Sequence, residues 1–429
     1  MQALQIGPAV ALDPEAFHLL IPGSMVAVAC LLRPSWIMPV FLALTWMSIP
    51  SWLYGGLPSP VEVGAVGLLA YATWRATRAS EVAKPMLMVV ALIGFAALGA
   101  SLASSEAVGI PTSWLGELSF LAIAALAVRD REDLDRVAVA LCGSGAFLGL
   151  GAMYSILIGP TALFPVGGHL TGVQELRASG PFGEANFFAL SMAALGPLAV
   201  YMATRRERWR RGLGIFTICA LAGGILATGS RGGAIAFVAG LIMAWLALAA
   251  RRKRIAIVAI LAVVALLPLF SAQISGSSER TVSGRATENQ IAVGMFADRP
   301  IAGVGVGEYP ALYRTYAREI GNDPRPVRAP HSLPLQIAAE QGLFGIAAWL
   351  IAGIAVLGYV LRHGVWRLAI GRAVILSVAA YWIGSLFLQG SQIRLLFILT
   401  GLIFAAGAPQ PDRVPASVGR LEPAGARAP

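Results

Sequence analysis

Residues 186–250 read NFFALSMAALGPLAVYMATRRERWRRGLGIFTICALAGGILATGSRGGAIAFVAGLIMAWLALAA, which is three apolar runs joined by two short connections. The runs cover 186–204, 213–228 and 232–250, and a helix needs about 20 residues to cross the hydrocarbon core of a bilayer. Because backbone polar groups in lipid must be satisfied within their own segment, these runs are predicted to be α-helices. The first connection holds five arginines and the second holds only Arg231, so we expect them on opposite sides of a membrane.

The same pattern extends over almost the whole chain of 429 residues. Hydrophobic residues make up 57% and charged residues 13% of the sequence, with a mean hydropathy of +0.73, whereas soluble domains carry about 25% charged residues. Further spans are predicted at 18–32, 36–50, 61–74, 85–103, 114–128, 137–159, 255–271, 333–361, 368–388 and 394–408. We therefore predict an all-α protein, a polytopic transmembrane helical bundle of about 12–13 spans.

The arginines predict the orientation of this bundle. Basic clusters that alternate with the spans are assigned to the cytoplasmic side, and they include Arg75 and Arg78, Arg129 to Arg136, Arg205 to Arg211, Arg251 to Arg254, and Arg362 with Arg367. The side of the N-terminus stays open, because a misread first pair of spans would reverse it. The net charge of +10 lies mostly between apolar runs, which favours membrane orientation over nucleic-acid binding.

The domain boundaries follow from these spans. Residues 1–408 are predicted to form one transmembrane domain, and 409–429, rich in Pro, Ala and Gly, a disordered cytoplasmic tail. Residues 272–332 form the one large outer loop. The three cysteines, Cys30, Cys142 and Cys219, all lie in apolar runs, so neither a disulfide framework nor a metal site is predicted.

Arg231 departs from the apolar pattern. It follows Thr228, Gly229 and Ser230 in a connection with almost no spare length, and a guanidinium near the membrane interior is costly unless it is paired or faces a polar cavity. Since it opens the next helix, free N–H groups and the arginine together favour an anion site. The alternative is a tight hairpin whose arginine snorkels to the outer interface.

His331 is the second candidate, where the outer loop returns to the membrane. Histidine suits proton transfer near neutral pH, and Gln336 and Glu340 follow at helical spacing on roughly the same side. A lone histidine is more often structural. The loop also carries Arg280, Arg285, Arg299, Arg314, Arg318, Arg325 and Arg328, and each of these arginines could equally pair with an acidic neighbour on a solvated surface.

Glycine recurs at every second position in part of the loop between Pro300 and Tyr309. Their Gly-x-Gly-x-Gly spacing could suggest a nucleotide loop, but the strand-then-helix context is absent and the segment faces away from cytoplasmic ATP. We expect instead a tight turn packed on the membrane surface.

Taken in order, these elements resemble the superfamily of O-antigen ligases and O-antigen polymerases. The resemblance covers 175–346. Its elements are Arg-x-Ser-Gly-x-Phe-x-x-x-Asn (Arg177 to Asn186), Ser-Arg-Gly-Gly (Ser230 to Gly233), Arg285 before Pro-x-x-Gly-x-Gly (Pro300 to Gly305), and His331-Ser332 before Glu-x-Gly-hydrophobic-x-Gly (Glu340 to Gly345). Each motif is weak alone, whereas the ordered set is specific.

The resemblance implies a bacterial inner-membrane enzyme with a periplasmic catalytic loop. Its donor would be an undecaprenyl-diphosphate-linked glycan and its acceptor a glycan, lipid A-core or protein hydroxyl, with no metal, cofactor or nucleic acid. By position, His331, Arg285 and Arg231 would be catalytic, with both arginines on the donor diphosphate and His331 on the acceptor hydroxyl. Arg177, Arg328, Ser332 and Glu340 would bind substrate, although Ser332 stands where many members have asparagine.

The motifs leave the branch open among ligase, polymerase and protein glycan transferase, since all three share the donor chemistry. A metal-independent, inverting glycosyltransferase is expected in each case, because direct displacement inverts the anomeric centre. The alternative from another class is a transporter or permease for a polar or anionic solute, which would use charged groups within the membrane. Glu62 and Glu117 are the acids that could serve it.

Overall fold

A computed structural model of the protein describes residues 33–47, 80–103, 112–160, 164, 166–170, 173–248, 278–321, 330–388 and 394–408. These residues are almost entirely α-helical. The helices are α1 (Ile37–Trp46), α2 (Ser80–Ala103), α3 (Thr112–Ala127), α4 (Arg131–Leu157), α5 (Ala185–Ala194), α6 (Gly196–Ala203), α7 (Arg208–Thr228), α8 (Arg231–Leu248), α9 (Ser278–Asp298), α10 (Tyr309–Glu319), α11 (Leu333–Arg362), α12 (Ala369–Ser385) and α13 (Arg394–Gly407).

Six helical segments are long and apolar enough to cross a membrane. They are Glu81–Leu102, Arg131–Leu157, Ala185–Ala203, Arg208–Thr228, Arg231–Leu248 and Leu333–Arg362, and shorter apolar helices lie at Ile37–Trp46, Glu117–Ala127, Ala369–Ser385 and Arg394–Gly407. Each predicted span on described residues coincides with one of these helices. The predicted spans 18–32, 61–74 and 255–271 and the tail 409–429 lie outside the described residues. The chain is a multi-pass, helical membrane protein, and the periplasmic location of its loop stays a prediction.

The segment Ala185–Ala203 lies at the centre of the bundle and is buried along its whole length. A helix that is apolar on all sides belongs in such a position, and α7, α8 and α12 pack around it. The segment was predicted as one continuous span, but it is divided at Leu195 into α5 and α6. Pro197, in the first turn of α6, lacks the N–H that a continuous helix would use.

Small residues allow the outer helices to approach closely. Helix α4 packs along α7, and a Cβ added to Gly149 would lie 2.3 Å from the carbonyl oxygen of Ala220. Close backbone approach at glycine is typical of helix packing in membranes, where apolar side chains gain little by leaving lipid. Elsewhere α11 packs on α2, and α13 packs on α3 and α12.

Arginines lie at both ends of α7. At its start, the Asp135 carboxylate accepts from Arg210 (2.8 Å), Arg205 (3.0 Å) and the Tyr201 hydroxyl (2.6 Å). The helix then rises about 30 Å, at 1.5 Å per residue, before it ends at Thr228. The arginines near 205–211 and Arg231 therefore lie at different ends of the bundle, in agreement with the alternation predicted from the sequence.

One β-hairpin interrupts the helical pattern. Strands β1 (Val166–Leu170) and β2 (Val173–Ala178) pair antiparallel, with Val166 opposite Ala178. The sequence analysis leaves these residues only as a connection between the predicted spans 137–159 and 186–204, so the all-α prediction misses this element. The hairpin is functionally relevant because β2 carries Arg177.

Candidate functional site

Helix α11 is broken at Gly342, whose backbone angles are φ 60° and ψ −156°. In a continuous helix the N–H groups of Leu343 and Phe344 would bond to carbonyls four residues back. Here they donate to Pro300 (2.8 Å) and Ile301 (3.0 Å) of the loop. The predicted uninterrupted span 333–361 is corrected accordingly, since loop backbone supplies the acceptors that the helix loses.

The loop also satisfies the carbonyls that the break leaves without helical partners. The N–H of Val304 donates to Ala339 (2.9 Å), and the N–H of Gly305 donates to Glu340 (3.0 Å). Residues 300–305 thus replace one turn of hydrogen bonding within α11, as buried backbone requires. The predicted tight turn is present and packs into the break in α11, and its position at the membrane surface stays a prediction.

Glycine is required on both sides of this contact. Gly303 has φ +71°, and a Cβ there would lie 2.3 Å from the carbonyl carbon of Glu340. A Cβ on Gly342 would lie 2.5 Å from the carbonyl oxygen of Ile301. The two glycine motifs recognised separately in the sequence are therefore two halves of one backbone interface.

Glu340 lies directly at the break and is only 1% exposed. Its carboxylate accepts from the backbone N–H groups of Gly307 and Tyr309, with a longer contact of 3.5 Å to the Gln336 amide. These amides belong to the start of α10, where the helix dipole favours an anion. Glu340 thus holds α10 against α11, and its predicted role in substrate binding stays a prediction.

His331 precedes α11 and forms a buried pair with Glu288 of α9. The distance from His331 Nε2 to Glu288 Oε2 is 2.9 Å, and the side chains are 11% and 4% exposed. The Tyr309 hydroxyl donates to the Glu288 carbonyl at 2.8 Å, and burial raises the pKa of this hydroxyl, so it remains a protonated donor. The remaining ring nitrogen, Nδ1, makes no hydrogen bond to the residues that the structure describes.

Other predicted residues lie around this pair. Arg285 occupies α9 one turn before Glu288, so their backbone positions share a helix face. Ser332 is the N-cap residue of α11 and is buried, although its side chain makes no capping bond. Arg328 lies outside the described residues. His331 and Ser332 therefore lie at the start of α11 and Glu340 at its break, and the helix that carries Arg285 packs against α11.

Arg231 lies at a different junction, between α7 and α8. Helix α7 ends in Gly229 at φ 62°, and the Ser230 hydroxyl accepts from Gly233 N (3.2 Å), which caps α8. Arg231 is exposed at the first position of α8. The tight packing falls on the following glycines instead, because a Cβ on Gly233 would lie 2.4 Å from Ala189 Cβ.

Arg177 connects the β-hairpin to this junction. Its Nε donates to the Thr228 carbonyl at 2.8 Å and its Nη2 to Asn186 Oδ1 at 3.0 Å. Asn186 in turn donates to Glu184 Oε1 at 3.0 Å. A cation on the last carbonyls of α7 is favoured by the helix dipole. The upstream motif and the Ser-Arg-Gly-Gly motif therefore meet in space, while the predicted substrate contact of Arg177 stays a prediction.

Sequence reasoning missed Glu288 as a site residue, because it was grouped with the acids that could pair with loop arginines. A usable signal was its spacing from Arg285, since positions i and i+3 of a helix face the same side. Within the described ranges, no cluster of three or more His, Cys, Asp or Glu side chains could hold a metal ion.

Comparison with known proteins bears on the region that contains both junctions. Residues 215–350 match a family model described as O-antigen ligase. The match begins within α7 and ends within α11, so it includes Ser230 to Gly233, Pro300 to Gly305 and Glu340 to Gly345. No curated protein matches the chain. The resemblance inferred from the ordered motifs is confirmed for this region, and the roles of the individual residues remain predictions.

Proposed function

We propose that this chain, with its O-antigen ligase region at 215–350, transfers a glycan from an undecaprenyl-diphosphate carrier to an acceptor hydroxyl. The reaction takes place on the periplasmic side of a bacterial inner membrane, inverts the anomeric centre and needs no metal. The observation that carries the proposal is the buried His331–Glu288 pair, 2.9 Å apart. This pair places a carboxylate beside a histidine, the arrangement that orients the histidine base in Ser-His-Asp enzymes.

The donor is already activated, so the chain must stabilise a leaving diphosphate. Arg231 and Arg285 are assigned to it because guanidinium groups bind phosphate oxygens through two parallel hydrogen bonds and stay charged at any relevant pH. The exposure of Arg231 at the first position of α8 supports this role, since its fork is accessible and the helix N-terminus adds to its positive potential. In a water-poor site, one such donor contributes about 3–4 kcal/mol to the transition state.

The acceptor hydroxyl must lose a proton as it attacks the anomeric carbon. His331 is assigned as the base, and such a base contributes about 10²–10⁴-fold to the rate. The loop backbone bonded across the break in α11 supports this assignment, because it fixes the loop 300–305 against the helix that His331 precedes.

The transporter alternative depended on charged groups within the membrane. Glu62 lies outside the described residues, and Glu117 pairs with Arg394 at 3.1 Å. Arg394 also donates to the Thr45 carbonyl at 3.2 Å and lies over the Phe120 ring. These contacts tie α13 to α1 and α3, which accounts for Glu117 without a transported solute.

The proposal is tested in the native host with His331→Ala, Arg231→Ala and Arg285→Ala, each made separately. Arg318→Ala is the matched control, because Arg318 is an exposed arginine of the same loop. Membrane levels are measured first, and then surface glycan and lipid-linked intermediates are quantified. We expect loss of long glycan with accumulation of carrier-linked donor in the three variants. The control should show the wild-type distribution of surface-glycan lengths.

The pattern of accumulation then identifies the branch. Surface molecules capped with a single repeat indicate a polymerase, whereas free carrier-bound polymer indicates a ligase. Wild-type glycan in all three variants, at normal membrane levels, would refute glycan transfer at this site.

A further inference from the structure

We propose that Glu288 is a positioning residue that selects the tautomer of His331, so that Nδ1 is the nitrogen that accepts the proton of the acceptor hydroxyl. This inference rests on the proposed function. It adds to that function a residue outside the recognised motifs and assigns the two ring nitrogens separate roles. The contact that carries it is the distance of 2.9 Å between Glu288 Oε2 and His331 Nε2.

The tautomer of His331 follows from the carboxylate of its partner, Glu288. The 2.9 Å contact places a carboxylate oxygen beside Nε2, and because such an oxygen accepts hydrogen bonds, it favours the neutral imidazole that carries its proton on Nε2. The lone pair then lies on Nδ1. This nitrogen is shielded from water and makes no hydrogen bond to the described part of the chain, so its lone pair is not engaged by these residues.

Hydrogen bonds of Tyr309 connect the helix that carries Glu288 to the helix that His331 precedes. The Glu288 carbonyl accepts the Tyr309 hydroxyl at 2.8 Å, and the N–H of the same tyrosine donates to the Glu340 carboxylate. His331 stands two residues before α11, the helix that carries Glu340. Tyr309 and Glu340 therefore fix the spacing of α9 and α11, so the Glu288 carboxylate is presented to the imidazole by a rigid frame.

The proposed step balances as follows. The acceptor O–H bond breaks, its proton passes to His331 Nδ1, and the oxygen forms a bond to the anomeric carbon. The bond from that carbon to the diphosphate oxygen breaks, and its electron pair leaves with the lipid diphosphate. The resulting imidazolium lies beside the Glu288 carboxylate, which stabilises it until the proton passes to the leaving diphosphate or to water.

The test compares Glu288→Gln, Glu288→Asp, His331→Ala and the double variant Glu288→Gln with His331→Ala, all in the full chain. Glu319→Gln is the matched control, since it removes the same charge from an exposed position of α10. Each purified variant is assayed with donor lipid and acceptor-bearing membranes from a host strain that lacks this chain. We measure kcat, the KM for donor and the thermal unfolding midpoint.

Glutamine can turn its amide N–H toward the imidazole and stabilise the other tautomer, as an Asn does in serine proteases at a cost of about 10⁴ in kcat. For Glu288→Gln we expect kcat to fall by at least about tenfold, but by no more than in His331→Ala, where the base contributes about 10²–10⁴-fold. The KM and the unfolding midpoint should stay at wild-type values. Glu288→Asp should retain more activity than Glu288→Gln, and the double variant should match His331→Ala.

Three outcomes overturn the inference. The first is wild-type kcat in Glu288→Gln, and the second is further loss in the double variant beyond His331→Ala. The third is equal inactivity of Glu288→Gln and Glu288→Asp with lowered unfolding midpoints, which indicates a purely structural carboxylate. If His331→Ala itself keeps wild-type transfer, the proposed function fails. An inactive His331→Ala beside a fully active Glu288→Gln removes only the inference.

Discussion

Gly303→Ala is expected to separate the loop from the broken helix without replacing any residue proposed to contact substrate. The added Cβ would lie 2.3 Å from the carbonyl carbon of Glu340 and 2.4 Å from the backbone nitrogen of Gln341. Because both obstacles are backbone atoms, no side-chain rotation relieves the clash. The loop must move, and the hydrogen bonds from Val304 to Ala339 and from Gly305 to Glu340 are lost with it.

The cost has two parts. An alanine at φ +71° is strained by about 1–2 kcal/mol, and each of the two hydrogen bonds contributes about 0.5–1.5 kcal/mol. The free energy of unfolding should therefore fall by about 2–5 kcal/mol. Gly307→Ala is the matched control, since Gly307 has φ +83° with no atom within 4 Å of an added Cβ. It should cost only the strain of about 1–2 kcal/mol.

Unfolding of the purified full chain in mixed detergent micelles measures both values, and glycan transfer in the native host measures the consequence for the site. We expect Gly303→Ala to be less stable than Gly307→Ala by about 1–3 kcal/mol and to lose most transfer activity. Equal losses of stability in the two variants would show that the close approach at Glu340 does not hold the loop.

Two further predictions concern the junction of Arg231. Gly233→Ala places a Cβ 2.4 Å from Ala189 Cβ and should destabilise the bundle by about 1–3 kcal/mol through overpacking. The control Gly212→Ala, with open space around the added Cβ, should be neutral or slightly stabilising in the same unfolding assay. Equal effects of the two substitutions would contradict the packing of α8 on α5. Arg177→Lys should lower the free energy of unfolding by about 1–3 kcal/mol, because one ammonium cannot replace both the bond to the Thr228 carbonyl and the bond to Asn186. Wild-type stability in the lysine variant would show that the two-pronged guanidinium is not required at the end of α7.

Much of the site could be located from sequence order, but its contacts could not. The positions of Ser230 to Gly233, Arg285, Pro300 to Gly305 and His331 were recognisable, because residue type and order along the chain are visible without a structure. The residues that these positions contact in the structure were not recognisable from the sequence. His331 was expected to lie beside Gln336 and Glu340 at helical spacing. Its ion-pair partner is instead Glu288, 43 residues earlier in the sequence.

Glu340 is a second residue whose contacts could not be predicted from sequence order. As a polar residue at helical spacing from His331, it was predicted to bind substrate. In the structure its carboxylate accepts the N–H groups at the start of α10, and no periodicity in the sequence indicates which distant amides a buried carboxylate will meet. The exposure of Arg231 was likewise not predictable from hydropathy, because hydropathy describes a segment and does not determine which side of its first turn faces the bundle.

The sequence by itself determined that this protein is a helical, multi-pass membrane protein, since backbone that faces lipid must satisfy its own hydrogen bonds, and that requirement is local and readable in each apolar run. It also determined which motifs follow one another and the family that they resemble. Only the tertiary structure decided that α11 is broken, that the loop 300–305 supplies the hydrogen bonds lost at the break, and that Arg177 meets the end of α7. These features depend on backbone and side-chain partners far apart in the chain, which come together only when the helices pack.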